Sequence, residues 1–233
     1  MTILAVIKDV CAAVGVAIPA SVIAPSTNKR TMEEMLALAN EVAQSIAYDN
    51  REWSRLKRSI VYTGDGVTVG WNLPADYKRM LLTSEVWRST DTQAPMRFIY
   101  DTNEWGRRGL SADYGSMGMW TLMNGQMLIQ PPLGVGQTAT FVYMHRNCVI
   151  LASGGLGDNF ISDLDSYALD ERVLKLGIIW RWKQAKGSAY AEDMGTFADA
   201  LNTSAGNDNP APIFIGHAPL SSHARFAYPW QTP

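Results

Sequence analysis

The 233-residue chain is poor in the residues that mark most specialised chemistries. It has two cysteines, Cys11 and Cys148, and neither has a partner at zinc-ligand or redox spacing. A disulfide between them is one reading, and two buried free thiols, packing as small apolar groups, is the other. Charge is scarce too: Asp, Glu, Lys and Arg make up 18% of the chain, and the formal net charge is −2. That balance offers no electrostatic case for nucleic acid or anionic lipid as the main partner. The segment Met1–Ile18 fails as a signal peptide, because no basic region precedes it and Lys8 and Asp9 interrupt it. No run of eighteen apolar residues follows, so the sequence predicts no membrane span. Internal repeats and low-complexity segments are absent as well.

Catalytic and ligand-binding patterns are also missing. The histidines, His145, His217 and His223, do not fall at i, i+4 on a helix. The acidic stretch Asp158, Asp163, Asp165, Asp170 and Glu171 lacks EF-hand spacing. It reads as the acidic lead-in to a helix, where carboxylates complement the helix dipole. Ser153–Gly157 is glycine-rich, but no Gly-Lys-Ser/Thr occurs, so it reads as a loop. No serine or cysteine is marked out beside a histidine partner. The expectation is a chain without catalytic residues, metal or cofactor.

What the chain does have is hydrophobic residue, 47%, enough for a sizeable core. Thr2 is a plausible N-cap for a helix with Ile3, Val6, Ile7, Val10 and Val14 on one face, ended by Gly15 and Pro19. Thr31 and Glu34 have capping-box spacing for a second helix, with Met35, Leu38, Ala39, Val42 and Ile46 inward and Asn50 closing it. Trp53 reads as a core anchor and Leu56 follows it on a short turn.

From Ser59 the pattern alternates. Ile60–Tyr62 reads as a strand, Gly64-Asp65-Gly66 as a tight turn, and Val67 and Val69 as the return strand. Tyr77–Trp87 is an extended stretch, and Tyr100–Arg107 a short helix capped by Asp101 or Thr102. Asn124-Gly125, between Trp120–Met123 and Met127–Ile129, predicts a type I′ hairpin. Thr138–Met144 is a further strand with Ala139, Phe141 and Tyr143 on one face. Helical spacing resumes with Leu169, Val173, Leu174, Gly177, Ile178 and Trp180, to about Lys186. A last helix covers Tyr190–Leu201, with Met194, Phe197, Ala198 and Leu201 inward, and Asn202–Asn209 reads as a hinge.

The predicted class is therefore α+β. A four-helix-type bundle is built from helices at the two ends of the chain, with an antiparallel β region inserted and an extended C-terminal tail. The predicted boundaries are 1–58 and 151–206 for the helical parts, 59–150 for the β region and 207–233 for the tail. That tail carries five prolines, which favour extended segments. Interleaved are Ile213, Phe214, Ile215, Leu220, Phe226, Tyr228 and Trp230. Segments that stay unfolded are poor in such residues. These seven are the candidate partner-binding residues, suited to a groove or a sheet edge. The competing reading folds the tail back on its own domain.

Several segments together resemble the head-to-tail adaptor (connector, or neck) proteins of tailed bacteriophages. They are Ile3–Cys11, Leu36–Glu41 followed by Tyr48-Asp49 and Trp53, Leu73–Arg79 before Trp87, and Leu169–Glu171 with Leu176–Ile178, Trp180-Arg181, Lys186-Gly187 and Tyr190–Asp193. The resemblance spans about residues 1–202 and rests on order and spacing. It implies a structural, non-enzymatic virion protein that forms a ring, in twelve copies, at the head–tail junction. The implied partners are the portal protein, neighbouring copies and a downstream tail or nozzle protein. Genome DNA passes through such a ring without specific binding, no membrane is involved, and the subunit is made in the host cytoplasm. The alternatives are another tail or neck component, or a small virion-associated carbohydrate-binding or hydrolytic module.

Overall fold

The computed structural model describes residues 1–49, 51–82, 84–90 and 93–208. Its class is α+β. Helix α1 (Ile3–Val14) opens on Thr2, whose hydroxyl accepts a hydrogen bond from the Ala5 amide. It closes on Gly15 at φ 72°, a left-handed cap that glycine adopts without Cβ strain. Its first amides are also satisfied from afar, since Ile3 N and Leu4 N donate to the carbonyls of Asp165 and Asp163.

Helix α2 (Lys29–Tyr48) begins one turn earlier than the capping-box spacing predicts. Asn28, at φ 52°, is the N-cap, and Thr31 lies inside the helix. Lys29–Glu33 and Arg30–Glu34 are i, i+4 ion pairs that support the added turn. Glu34 also binds Lys186 rather than reaching back to a capping amide. Asp49 caps the C-terminus, and Asn50 lies outside the described residues. Trp53 is buried as predicted, its indole N–H donating to the Ile46 carbonyl at 2.7 Å. A 3-10 turn, Ser54–Leu56, then leads into the sheets.

The β region comprises β1 (Lys57–Thr63), β2 (Gly70–Asn72), β3 (Tyr77–Met80), β4 (Trp87–Arg88), β5 (Arg97–Phe98), β6 (Met119–Met123), β7 (Gln126–Gln130) and β8 (Thr138–His145), with helix α3 (Thr102–Ser111) between β5 and β6. One sheet runs β1-β8-β3, with β4 also on β8, and the other runs β2-β7-β6-β5. Tyr62, Phe141 and Tyr143 from the first share a core with Trp120, Met127 and Ile129 from the second. Tyr62 stacks on Trp71 with ring centroids 5.4 Å apart. Asn124 and Gly125, at φ 52° and 72°, form the predicted hairpin turn between β6 and β7. Asp101 is the cap of α3.

The predicted pairing of Ile60–Tyr62 with Val67–Val69 does not form. β1 pairs along all seven residues with β8, whose alternating sequence offers a longer partner. Asp65 instead turns the chain away, its carboxylate accepting from Val67 N, Thr68 N and the Thr68 hydroxyl.

Beyond β8 a small sheet absent from the sequence reading joins β9 (Val149–Ile150), β10 (Leu156–Gly157) and β11 (Ser166–Tyr167). Helix α4 (Glu171–Ala185) follows, capped by Asp170, and packs against α1, α2 and the last helix, α5 (Ala191–Asp208). Here two expectations fail. Met194 and Ala198 are exposed, and Ala200 is the buried residue of α5, with Phe197 and Leu201 half-buried. The expected hinge at Asn202–Asn209 is helical through Asp208. Arg51 donates to the Asn202 side chain, and Asp208 accepts from Ser54, so the last turns are fastened to the segment after α2. No helix among the described residues is long and apolar enough to cross a membrane.

The meeting of α2, α4 and α5 is close. A Cβ on Gly177 of α4 would lie 2.5 Å from Val42 Cγ1 and 3.1 Å from Phe197 Cε2. Gly195 of α5 has nothing within 4 Å. Gly177→Ala should therefore destabilise by about 1–3 kcal/mol, because overpacking outweighs the gain in helix propensity. Gly195→Ala should stabilise by roughly 0.5–1 kcal/mol. Urea denaturation of both variants measures these opposite signs; equal effects would show that propensity alone decides.

Candidate interaction surface

Ile213, Phe214, Ile215, Leu220, Phe226, Tyr228 and Trp230, the residues singled out as partner anchors, lie outside the described residues, as do His217 and His223. What the fold shows is the root from which that tail departs. The Asp208 carboxylate accepts from the Ser54 amide at 2.5 Å and from its hydroxyl at 2.7 Å. Beside it lies a cavity of about 470 Å³ lined by Trp53, Arg55, Asp170, Ser204 and Asn207 among others. The tail therefore starts next to the entry to β1.

A second surface is built around the acidic stretch. Asp170 and Glu171 do sit at a helix N-terminus, as their spacing predicts. Asp163 and Asp165 do something else. Asp165 is 1% exposed, and its two oxygens accept from Ala152 N at 2.9 Å and from Ile161 N and Ser162 N at 2.7 Å each. Asp163 accepts from Val22 N and Ile23 N at 2.9 and 3.1 Å. Burial acts to raise both carboxyls, but hydrogen bonds outweigh it, from the Ser21 side chain and backbone amides at Asp163 and from backbone amides at Asp165, and hold both below the usual carboxylate range. The result is three loops of fixed shape. They present Ile161 and Leu164, at 64% and 66% exposure. The only hint in the sequence is the density of Ser and Asp in Ser162-Asp163-Leu164-Asp165.

A third feature is an apolar groove of about 350 Å³ between α2 and α4, floored by Ala37, Leu38, Trp182 and Ala185. Lys186 lies 4.5 Å above the Trp182 ring and binds Glu34 at 2.7 Å, closing one end.

His145 is 2% exposed, and its Nδ1 accepts from the Asn147 amide. Burial, then the Arg58 charge, lowers its pKa, so it stays neutral. Cys11 and Cys148 are free, buried thiols, and burial pushes Cys148 up to about 11. Arg108 of α3 binds Glu104 and Asp113. Among the described residues no group of three or more His, Cys, Asp or Glu is placed to hold a metal ion. The chain matches no protein-family model and no curated protein.

The Asp165 cluster carries a pH dependence of definite sign. A carboxyl whose pKa is lower in the folded state adds stability above its unfolded value, about 4, and loses it as pH falls through the folded value. Asp165→Ala should cost about 3 kcal/mol at pH 7, because three backbone donors lose a charged acceptor. In a domain this size that lowers Tm by roughly 6–12 °C. The gap to the parent protein should narrow below about pH 4; thermal melts from pH 7 to pH 3 measure it, and a constant gap would refute the account.

Proposed function

We propose that this chain is a structural virion protein, a ring-forming head-to-tail adaptor that joins the portal to the tail. The observation that carries the reading is the arrangement of the chain ends. α1 and α2 from one end and α5 from the other close on α4, while the intervening residues form the paired sheets. In this reading α1, α2, α4 and α5 serve as the four-helix-type bundle that builds the ring, and the β region projects toward neighbours. The resemblance over residues 1–202 is the other support for this reading.

Exposed apolar residues on a shaped surface support an assembly role. Ile161 and Leu164 sit on loops that Asp163 and Asp165 hold, and Leu82, Tyr100 and Leu110 are each close to fully exposed. Such residues scattered singly are ordinary, but several on rigid loops suit contact with another subunit. The proposed partners are the portal protein, neighbouring copies in a twelve-copy ring and a downstream tail or nozzle protein. The tail residues from Ile213 to Trp230 are the proposed contact peptide, with Phe226, Tyr228 and Trp230 the last of them in sequence.

Mixing the purified subunit with its portal and imaging by electron microscopy tests the reading. A twelve-fold ring on the portal is expected, and no association would overturn it. Replacing Phe226, Tyr228 and Trp230 together by Ala should weaken association by about 100-fold or more, as the loss of aromatic hot spots does. The melting temperature of the free subunit should be unchanged.

A further inference from the structure

β1 is the outer strand of its sheet. All seven of its residues pair with β8 on one side, and among the described residues no strand lies on the other. An open edge of that length exposes a row of backbone donors and acceptors and invites another strand. Val61 near its middle is 55% exposed, an apolar side chain with nothing apolar over it in a core. Lys57 and Arg58 guard only the first two positions.

The described chain ends near the start of β1. Asp208 is hydrogen-bonded to Ser54, three residues before Lys57. The sequence that follows is Asn209-Pro210-Ala211-Pro212-Ile213-Phe214-Ile215-Gly216. Two prolines hold their own φ in the extended range and, through steric contact, bias the preceding residues toward extended backbone. Ile-Phe-Ile is a strand-forming triplet of β-branched and aromatic residues, and Gly216 bounds it. Five extended residues from Asp208 reach about 17 Å, and β1 is about 23 Å long. An extended chain running along β1 is therefore long enough to bring Ile213–Ile215 level with the Ile60–Tyr62 half of the strand.

We propose that Ile213–Ile215 add to the outer edge of β1 in the same chain, as a short strand running parallel to it. Alternate side chains of the triplet fall on opposite faces. One face continues the Tyr62–Trp71 stack of the sheet core, and the other covers Val61. The first three apolar residues of the tail thus fasten it to its own domain, and the residues after Gly216 are left for the partner. This rests on the reading of the tail as a docking peptide, narrows that peptide from Ile213–Trp230 to the residues after Gly216, and does not require a ring or a portal.

Amide hydrogen exchange of the free subunit at low concentration, read on peptides covering β1, tests it. Three chains are compared: the full chain, a chain ending at Asp208, and a full-length variant with Ile213→Pro and Phe214→Pro, which removes a backbone donor in either register. Outward amides of β1 should exchange about tenfold faster in both altered chains than in the full chain, the effect of losing a backbone hydrogen bond. The proline variant keeps the test valid if the shortened chain fails to fold. Equal exchange in the full-length and proline chains would overturn the proposal. So would protection that grows with protein concentration, which would assign the edge to a second copy. Portal binding by the chain altered at Phe226, Tyr228 and Trp230 is read separately, so failure here leaves the adaptor reading standing, and the reverse.

Discussion

The close approach at Gly177 is the constraint on which the rest of the fold depends. α4 is apolar around much of its circumference, burying Val173, Leu174, Gly177, Ile178, Ile179 and Trp182. A helix of that kind needs neighbours on several sides. The early helices α1 and α2 supply two of them and α5 a third. Hydrogen-bonded side chains then tie the two ends of the chain at further points. Tyr167 donates to the Ala43 carbonyl, Asn40 accepts from Phe160 N, and Asp208 accepts from Ser54. Residues far apart in sequence are thus held by geometry set at one glycine, and both ends of the β region leave from this helical platform.

The second layer of order is carried by buried carboxylates. Asp163 and Asp165 use their backbone carbonyls to satisfy the first amides of α1 and their side chains to organise three loops. A carboxylate with several backbone donors is strong local glue, because charge-assisted hydrogen bonds exceed neutral ones. Both side chains of this part of the acidic stretch bind backbone donors. The same holds for Asp65 and Asp101, each of which accepts from amides two or three residues ahead.

Much of this was legible in the sequence, and the failures share a cause. Local signals succeeded: the Thr2 cap, the Asn124-Gly125 turn, the Ala139–Phe141–Tyr143 alternation and the burial of Trp53 are each decided within a few residues. Choices among competing partners did not. β1 had two candidate strands, and the nearer one lost to a longer one some eighty residues on. Thr31 had the right spacing for a cap, but Arg30–Glu34 and Lys186–Glu34 reward a longer helix. The polar end of α5 reads as a hinge until Ser54 and Arg51 are seen to hold it. Of the candidate interaction surface, the tail was visible as composition, whereas the Asp163–Asp165 loops were not, since their donors come from residues 22–23 and 152–162.

These features separate two kinds of contact that an assembly protein can make. Ile161 and Leu164 are presented on loops already ordered by a nearly inaccessible carboxylate, so binding them costs little further conformational entropy. A proline-rich peptide with spaced aromatics binds by the other route. Its affinity is reduced by whatever ordering remains to be done, and each proline lowers that cost in advance. Fastening the first apolar residues of such a peptide to β1 would shorten the free length to the residues after Gly216. A shorter tether raises the effective concentration of its aromatic residues near the domain's own contact surface. On that proposal the sheet edge that would otherwise invite aggregation becomes the fixed end of the proposed docking arm.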